Sequence, residues 1–473
     1  MRNPCVVSAL LGLTAMTGCT VGPDFVRPTP ALPVTWQGST VTALAAPSDA
    51  RWWRVFGDPV LDAIEDKAGT ANLDIQMALE RIAAARATQG LAKAEALPTV
   101  SGQASYSRER IGTEGVAAIA APLLGLTSVP QSPKSVDFNL YSFGAGASWE
   151  LDLWGKHRRQ IEGAQAKLTA TDAEARGVRL SVQAEVARSY FQLRGLWAER
   201  RFAEQRQALA RQTIAIAATL TDRGLATPMD LAEVQSRDRQ IRDECLDLDD
   251  QIARASRALA VLIGTGPDEQ PIDPSDAYVL PVPGAPALRM PSELAQNRPD
   301  IVAAEAQLHT ATAAIGVAQA EFYPSISLTG LFSLDVLNLD DLGWNARSTS
   351  IGPSLSLPIF DGGRIRRQVE LRRSEQRSAA LYYQQTVRSA WREIDDALGV
   401  LRTLQARGEL ADAEVQARQR TMAALDARYR RGDIAATPVL EARAATVVAE
   451  TTRLRQRIAT LLAQIQLQRG LGG

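Results

Sequence analysis

The 473-residue chain is predicted to be an α+β membrane protein built as an internal tandem repeat, in which long coiled-coil hairpins carry four β-strands. Three observations predict this. Arg223-Gly224 in "DRGLATPMDLAEV" and Arg431-Gly432 in "RYRRGDIAATPVLEA" lie 208 residues apart, each followed by a Thr-Pro and by a glutamate nine residues past the glycine. Around each pair, apolar residues recur at alternating intervals of three and four, the seam of a coiled coil. Elsewhere, short stretches alternate polar and apolar residues with the period of a half-buried strand.

The first element is a targeting segment, residues 1–18, with Arg2 as its positive start and an apolar run from Val6 to Met16 that is too short to span a bilayer. It ends "MTGC", which has the form of a bacterial lipobox, so Cys19 is the expected acylated N-terminus of the mature chain. Thr20 follows where an aspartate would retain a lipoprotein at the inner membrane, so the outer membrane is the expected address. Of the three cysteines, Cys5 falls in the targeting segment and Cys19 is the lipid site. Cys245 is left alone and no intrachain disulfide framework is possible. Beyond the targeting segment no long uninterrupted apolar run occurs, so any insertion into a membrane is expected through strands.

The repeat organises the rest. "WGKHRRQ" at 154–160 answers "GGRIRRQ" at 362–368, and Gly155 to Gly224 and Gly363 to Gly432 each span 69 residues. "AEALPTVSG" at 94–102 answers "AEFYPSISL" at 320–328, which leaves extra residues in the first copy around "GVAAIAAPLLGLTSVPQSP", an enlarged loop. The expected order is an N-terminal segment at 19–60, a first repeat at 61–264, a Pro-rich linker at 265–292 and a second repeat at 293–473. The first repeat reads helix, strands at about 98–109 and 137–153, a long helix at about 155–222 and a helix at about 228–263. The second reads helix, strands at about 324–335 and 349–360, a long helix at about 363–430 and a helix at about 436–468.

Strand assignment rests on alternation. Thr99, Ser101, Gln103, Ser105 and Ser107 alternate with Val100, Gly102, Ala104 and Tyr106. Ser325, Ser327 and Thr329 alternate with Ile326, Leu328 and Gly330. Tyr141, Phe143, Trp149, Leu151 and Leu153 share one face, and Trp149 with Trp154 suits an interfacial girdle. Four strands cannot close a transmembrane barrel, whose minimum is about eight, so either the sheet is soluble or several chains pool their strands. The helices carry seams at Leu231, Val234, Asp238, Ile241, Cys245, Leu248, Ile252, Ala255, Leu259 and Leu262, and at Leu440, Ala444, Val447, Thr451, Leu454, Ile458, Leu461 and Ile465. Cys245 on the seam reads as a buried small hydrophobe. A helix of 67 residues is about 100 Å long, nearer the width of a periplasm than of a bilayer, so Gly224 and Gly432 read as the turns at two hairpin tips.

The formal charge of −1 gives no expectation of a nucleic-acid partner. The only histidines, His157 and His309, belong to no catalytic or metal-ligand spacing. "FGAGAS" lies on a strand with no phosphate-binding helix after it. His157 in "KHRRQ" and the arginines of "RIRR" read as a solvated basic collar beside the strands. No enzyme activity, cofactor or metal is expected beyond the lipid on Cys19.

"CTVGPDF" (19–25), "RWWRVFGDP" (51–59), "WELDLWGK" (149–156), "NRPDI" (297–301), "YPSISLTG" (323–330) and "LPIFDGGR" (357–364) together resemble the TolC-like outer-membrane efflux proteins, in the lipoprotein branch that includes OprM. The resemblance implies a homotrimer, with a twelve-stranded outer-membrane barrel continued by a twelve-helix periplasmic tunnel and a mixed equatorial belt. It also implies a periplasmic adaptor and an inner-membrane pump of the RND type as partners, and the export of small molecules such as drugs. Carried over by position, it makes Arg428, Tyr429, Thr437, Glu441 and Asp230 the residues of a periplasmic gate at the hairpin tips. Asp230 would accept from Arg428 or Tyr429, and three Glu441 carboxylates would ring the mouth. Ile434, Pro438 and Glu441 depart from the family pattern at this constriction. Two other readings stay open: a channel for protein or peptide secretion, and a periplasmic coiled-coil scaffold without lipid-facing strands.

Overall fold

The computed structural model describes residues 20–29, 51–112, 135–270, 272–273, 280–281 and 297–472. Cys19, the targeting segment and the enlarged loop at 113–134 lie outside them, as do parts of the 19–60 and 265–292 segments. After a 3-10 turn at Trp52–Phe56 come α1 (Pro59–Ala71), α2 (Leu73–Ala94), β1 (Thr99–Gly112), β2 (Ser135–Leu151), α3 (Lys156–Asp222) and α4 (Pro228–Leu262). They are followed by α5 (Pro299–Ala320), β3 (Ser325–Val336), β4 (Arg347–Ser356), α6 (Arg364–Arg430) and α7 (Ala436–Leu471). The two long helices, α3 and α6, have 67 residues each. Helix α5 alone, among the described residues, is long and apolar enough by composition to cross a membrane, and about half of it is buried within the protein.

The chain divides into two compact units. The first comprises residues 1–26, 85–168 and 307–379 and holds the sheet. Its four strands are antiparallel in the order β1-β2-β3-β4, so β1 and β4 are edges. Helices join the sheet at one end only: α2 enters β1, β2 leads to α3, α5 enters β3 and β4 leads to α6. The end of β1 at Gly112, the start of β2 at Ser135 and the β3–β4 connection lie at the other end.

Also in the first unit, residues 20–25 form an extended strap against the start of α3. The Val21 N–H donates to the Trp154 carbonyl at 3.0 Å. Arg159, only 4% exposed, donates to the carbonyls of Val21 and Gly22, to Asp24 at 2.7 Å and to Glu162 at 2.7 Å. Glu162 also bonds His309 at 2.8 Å, and Phe25 stacks on the His309 ring at 4.2 Å. This corrects the solvated collar expected at "KHRRQ". His157 and Arg159 are buried, and Lys156 and Arg158 pair with Glu150 and Asp152. The second copy stays open: Arg364, Arg366 and Arg367 are mostly exposed. Arg159 and Arg367 hold equivalent repeat positions, with the same i,i+3 glutamate. Only the first is covered by the strap.

The second unit comprises residues 27–84, 169–306 and 380–473. Its core gathers Trp52, Trp53 and Phe56, Leu61 and Ala68 of α1, Tyr190, Phe191 and Leu193 of α3, Leu259 of α4 and Leu461 of α7. Each such large side chain, fully buried, contributes about 1.5–3 kcal/mol. Asp58 caps α1 by accepting from the N–H groups of Val60 and Leu61, and its other oxygen accepts from the Tyr190 hydroxyl at 2.6 Å. The seam residues of α4 are buried or half-buried throughout, and Cys245 is buried among Ala203, Ile241 and Leu248. Burial pushes its thiol pKa up, as expected for an inert core position.

Candidate functional site

Two regions hold the strands and the gate residues expected from the sequence: the sheet and the hairpin tips. Residues opposite one another in antiparallel strands share a face, so the register assigns every strand side chain. One face carries Val100, Ala104 and Tyr106 of β1, Tyr141, Phe143, Trp149 and Leu151 of β2, Ile326, Leu328 and Phe332 of β3, and Ile351 and Leu355 of β4. The other is lined by serines: Ser101, Ser105, Ser142, Ser148, Ser327, Ser333, Ser350 and Ser354 among them. Many of the apolar residues stand exposed, Ile351 at 82% and Val100 at 75%. A face this apolar and this exposed is dressed for lipid.

Charge is sorted between the faces as well. The described strand residues place Glu109, Glu150 and Asp335 on the serine face, with no basic residue there. Asp335 accepts from the hydroxyls of Ser142 at 2.5 Å and Ser333 at 2.6 Å. Glu150 lies at the helix end beside Lys156. These acids were not singled out in the sequence, although the alternation with serine marks them once the strand register is known.

The tips are built by identical turns. Each long helix ends on a glycine with positive φ, +70° at Gly224 and +81° at Gly432, a conformation other residues adopt only with strain. The Leu225 N–H reaches back to the Leu220 carbonyl at 2.8 Å, and the Asp433 N–H to the Arg428 carbonyl at 3.0 Å, closing a Schellman turn in both. The next helix begins four residues after each glycine, at Pro228 and at Ala436. The Thr-Pro motifs are therefore out of structural register. Thr227 is the N-cap of α4, whereas Thr437 and Pro438 lie inside the first turn of α7, whose N-cap is Ala435 without a side-chain cap.

Asp230 is held by its own helix. Its Oδ2 accepts from the Thr227 N–H at 2.9 Å and the Thr227 hydroxyl at 2.8 Å, while its N–H donates to the Thr227 Oγ1. This is a capping box, readable in the sequence as Thr-x-x-Asp. These bonds hold the Asp230 carboxyl pKa below its ordinary value. Within one chain no described hydrogen bond joins Asp230 to Arg428 or Tyr429; the tip ion pairs are instead Arg430–Asp426, Arg443–Asp426 and Arg431–Asp433. Tyr429 is 46% exposed, and Glu441 is exposed.

A sheet with one lipid-type face and one hydroxyl-lined face, in a chain that also forms long coiled-coil hairpins, defines a channel-forming membrane protein. The model of the outer membrane efflux protein family matches residues 66–265 and 290–473, and the chain belongs to that family. It is 32% identical over 481 residues to the outer membrane protein OprJ of Pseudomonas aeruginosa, covering 100% of this chain and 97% of that one. It is 27% identical over 486 residues to the cation efflux system protein CusC of Escherichia coli, covering 100% of both. The structure of the outer-membrane channel OprN superposes with a TM-score of 0.83 at 28% identity, covering 96% of this chain and 99% of that one. The protein is an outer-membrane component of an efflux system.

Proposed function

We propose that three copies of this chain close a twelve-stranded barrel in the outer membrane and continue it as a twelve-helix periplasmic tunnel. Small molecules enter it from an inner-membrane pump of the RND type through a periplasmic adaptor. The observation that carries this reading is a four-stranded sheet with an exposed apolar face and two open edges, β1 and β4. Open edges are not tolerated in hydrocarbon, so other chains must close them. Two copies would give eight strands, whose interior is filled by side chains; three leave an aqueous passage. The serine face then becomes the lumen, and its three carboxylates per chain favour cations.

Purified protein reconstituted in planar bilayers tests the reading. Ion-conducting trimers with a reversal potential on the cation side are expected; a dimer, a tetramer or a non-conducting particle refutes it. The tips are the gate in this reading. With Asp230 satisfied by Thr227, the links that hold the entrance run from Arg428 and Tyr429 to a neighbouring copy, and Thr437 and Glu441 line the mouth beside them. The paired change Tyr429→Phe and Arg428→Ser is expected to raise conductance, and Glu441→Ala to lower cation preference. Unchanged values in both variants would put the gate elsewhere.

Acylation of Cys19 belongs to the same reading. Thr20 packs so closely on Gly155 at the start of α3 that a Cβ there would meet its methyl at 2.4 Å. The lipid would thereby be delivered at the helix end of the sheet, where an anchor and a barrel would share one leaflet. Mass spectrometry of the mature N-terminal peptide should find the lipid on Cys19. Because a barrel buries far more apolar surface than one lipid group, Cys19→Ser should remain membrane-bound. An unmodified peptide would rule out the anchor.

A further inference from the structure

The apolar face of the sheet is not uniformly apolar. Register places Arg108 and Arg110 of β1, Asp137 of β2 and Arg347 of β4 on it, all toward the end remote from the helices. The helix end of the same face, from Val100 through Trp149, Leu151, Ile326 and Leu328 to Leu355, carries no charge among the described residues. The arginines lie at or beyond an aromatic boundary. Tyr106 and Tyr141 pair at 4.8 Å one outward-facing position before Arg108. Trp344, 69% exposed, packs on Phe332 at 5.8 Å and lies under the Arg347 guanidinium at 5.6 Å. Aromatic rings of this kind mark the head-group level of a bilayer.

A guanidinium facing lipid is costly in hydrocarbon and tolerated at head-group level, where its long stem can lie on the apolar wall. Among the described residues, Asp137 is the one carboxylate that pairs with any of these three. Arg110 meets Asp137 at 3.3 Å with its side chain 74% exposed, Arg347 is steadied by the Trp344 carbonyl at 2.9 Å, and Arg108 has no described ion pair. Among the described strand residues, the face therefore carries three guanidinium groups against one carboxylate at one lipid boundary and no charge at the other.

We propose that Arg108, Arg110 and Arg347 form an outward basic belt that binds the phosphates of the glycolipid in the outer leaflet of the outer membrane. The proposal rests on the barrel reading above, which points the loop end of the sheet outward. Planar guanidinium forks match phosphate oxygens bidentately. Apolar wall below and cations at the rim complement a lipid with acyl chains below and phosphorylated sugar above. In the closed barrel, β4 of one copy adjoins β1 of the next, so Arg347 joins a neighbour's Arg108 and Arg110 in one belt.

The test uses the full-length protein in non-ionic detergent, titrated with bisphosphorylated lipid A and with the same lipid enzymatically dephosphorylated. Wild type should bind the phosphorylated form more tightly. The Arg108→Gln, Arg110→Gln, Arg347→Gln variant should lose that preference, on the order of a hundredfold in affinity, while binding the dephosphorylated form as wild type does. Inorganic phosphate should compete poorly, because the acyl chains supply part of the binding. Equal wild-type affinity for the two lipids, an undiminished preference in the triple variant, or full competition by inorganic phosphate would each overturn the belt. Bilayer conductance separates the two readings: a variant that conducts as wild type retains its barrel, whereas a wild type that never conducts removes the barrel itself. If the triple variant does not assemble, Arg108→Gln alone, which breaks no described bond, must show a smaller loss in the same direction, and wild-type affinity in it overturns the belt.

Discussion

Replacing Glu65 by leucine should stabilise the folded protein by about 3 kcal/mol at pH 7 and flatten its pH dependence. Glu65 is 1% exposed on α1, and neither carboxylate oxygen has a hydrogen-bond partner among the described residues. Burial pushes its pKa from 4.5 up to about 9, with Asp66 and Asp62 adding to the rise. Between those values the folded state holds a proton that the unfolded chain has released, so stability falls as pH rises across that window and levels off above it. Leucine removes the proton linkage and the unsatisfied polar group together; Glu65→Gln removes the linkage alone. Unfolding midpoints measured from about pH 5 to about pH 9 should decline for wild type and stay nearly level in both variants, apart from other groups' shared dependence. Parallel profiles for all three would mean that Glu65 titrates normally.

The opposite result is expected at Arg298, where Arg298→Met should destabilise by about 2–3 kcal/mol. This side chain, 10% exposed, donates to both oxygens of Asp300, to Glu393 at 2.9 Å and to the Gly470 carbonyl at 2.6 Å. It thus ties the start of α5 to α6 and to the last turn of α7. Methionine fills the same space but leaves the Gly470 carbonyl without this donor and Glu393 with only Gln466 and Arg469. Asp300 remains about half exposed, and water compensates it, which keeps the loss below that of a fully buried pair. A calorimetric scan in detergent that left the midpoint unmoved would show that the clasp contributes nothing net.

What could be read without coordinates was periodic or strictly local. A seam residue such as Leu461 reveals itself by intervals of three and four, a strand residue such as Ile351 by alternation, and Gly224 and Gly432 by the end of a pattern. The capping box of Thr227 and Asp230 was equally local and could have been read from Thr-x-x-Asp, which would have shown Asp230 to be engaged by its own helix. The helix starts at about 228 and 436 were legible from the glycines, but the Thr-Pro recurrence does not mark a shared cap: the Schellman turn counts from its glycine, so Ala435 and not Thr437 stands where Thr227 does.

Local rules stop where a residue's partner is distant in the chain. "WGKHRRQ" and "GGRIRRQ" are near copies, yet Arg159 is buried under a strap 135 residues away in sequence, at Asp24, while Arg367 faces solvent. Which face of β1 joins which face of β2 depends on pairing Tyr106 with Tyr141, and that register gathers Glu109 and Glu150 on the serine face and Arg108 and Arg110 on the other. By itself the sequence determined the repeat, the element types and the family, because periodicity and short motifs are carried by neighbours along the chain. Tertiary structure alone decided which copy of a charge is buried, where Glu65 loses its water and which face each charge occupies. Burial and sheet register are made by contacts between residues far apart in sequence, which no local pattern encodes.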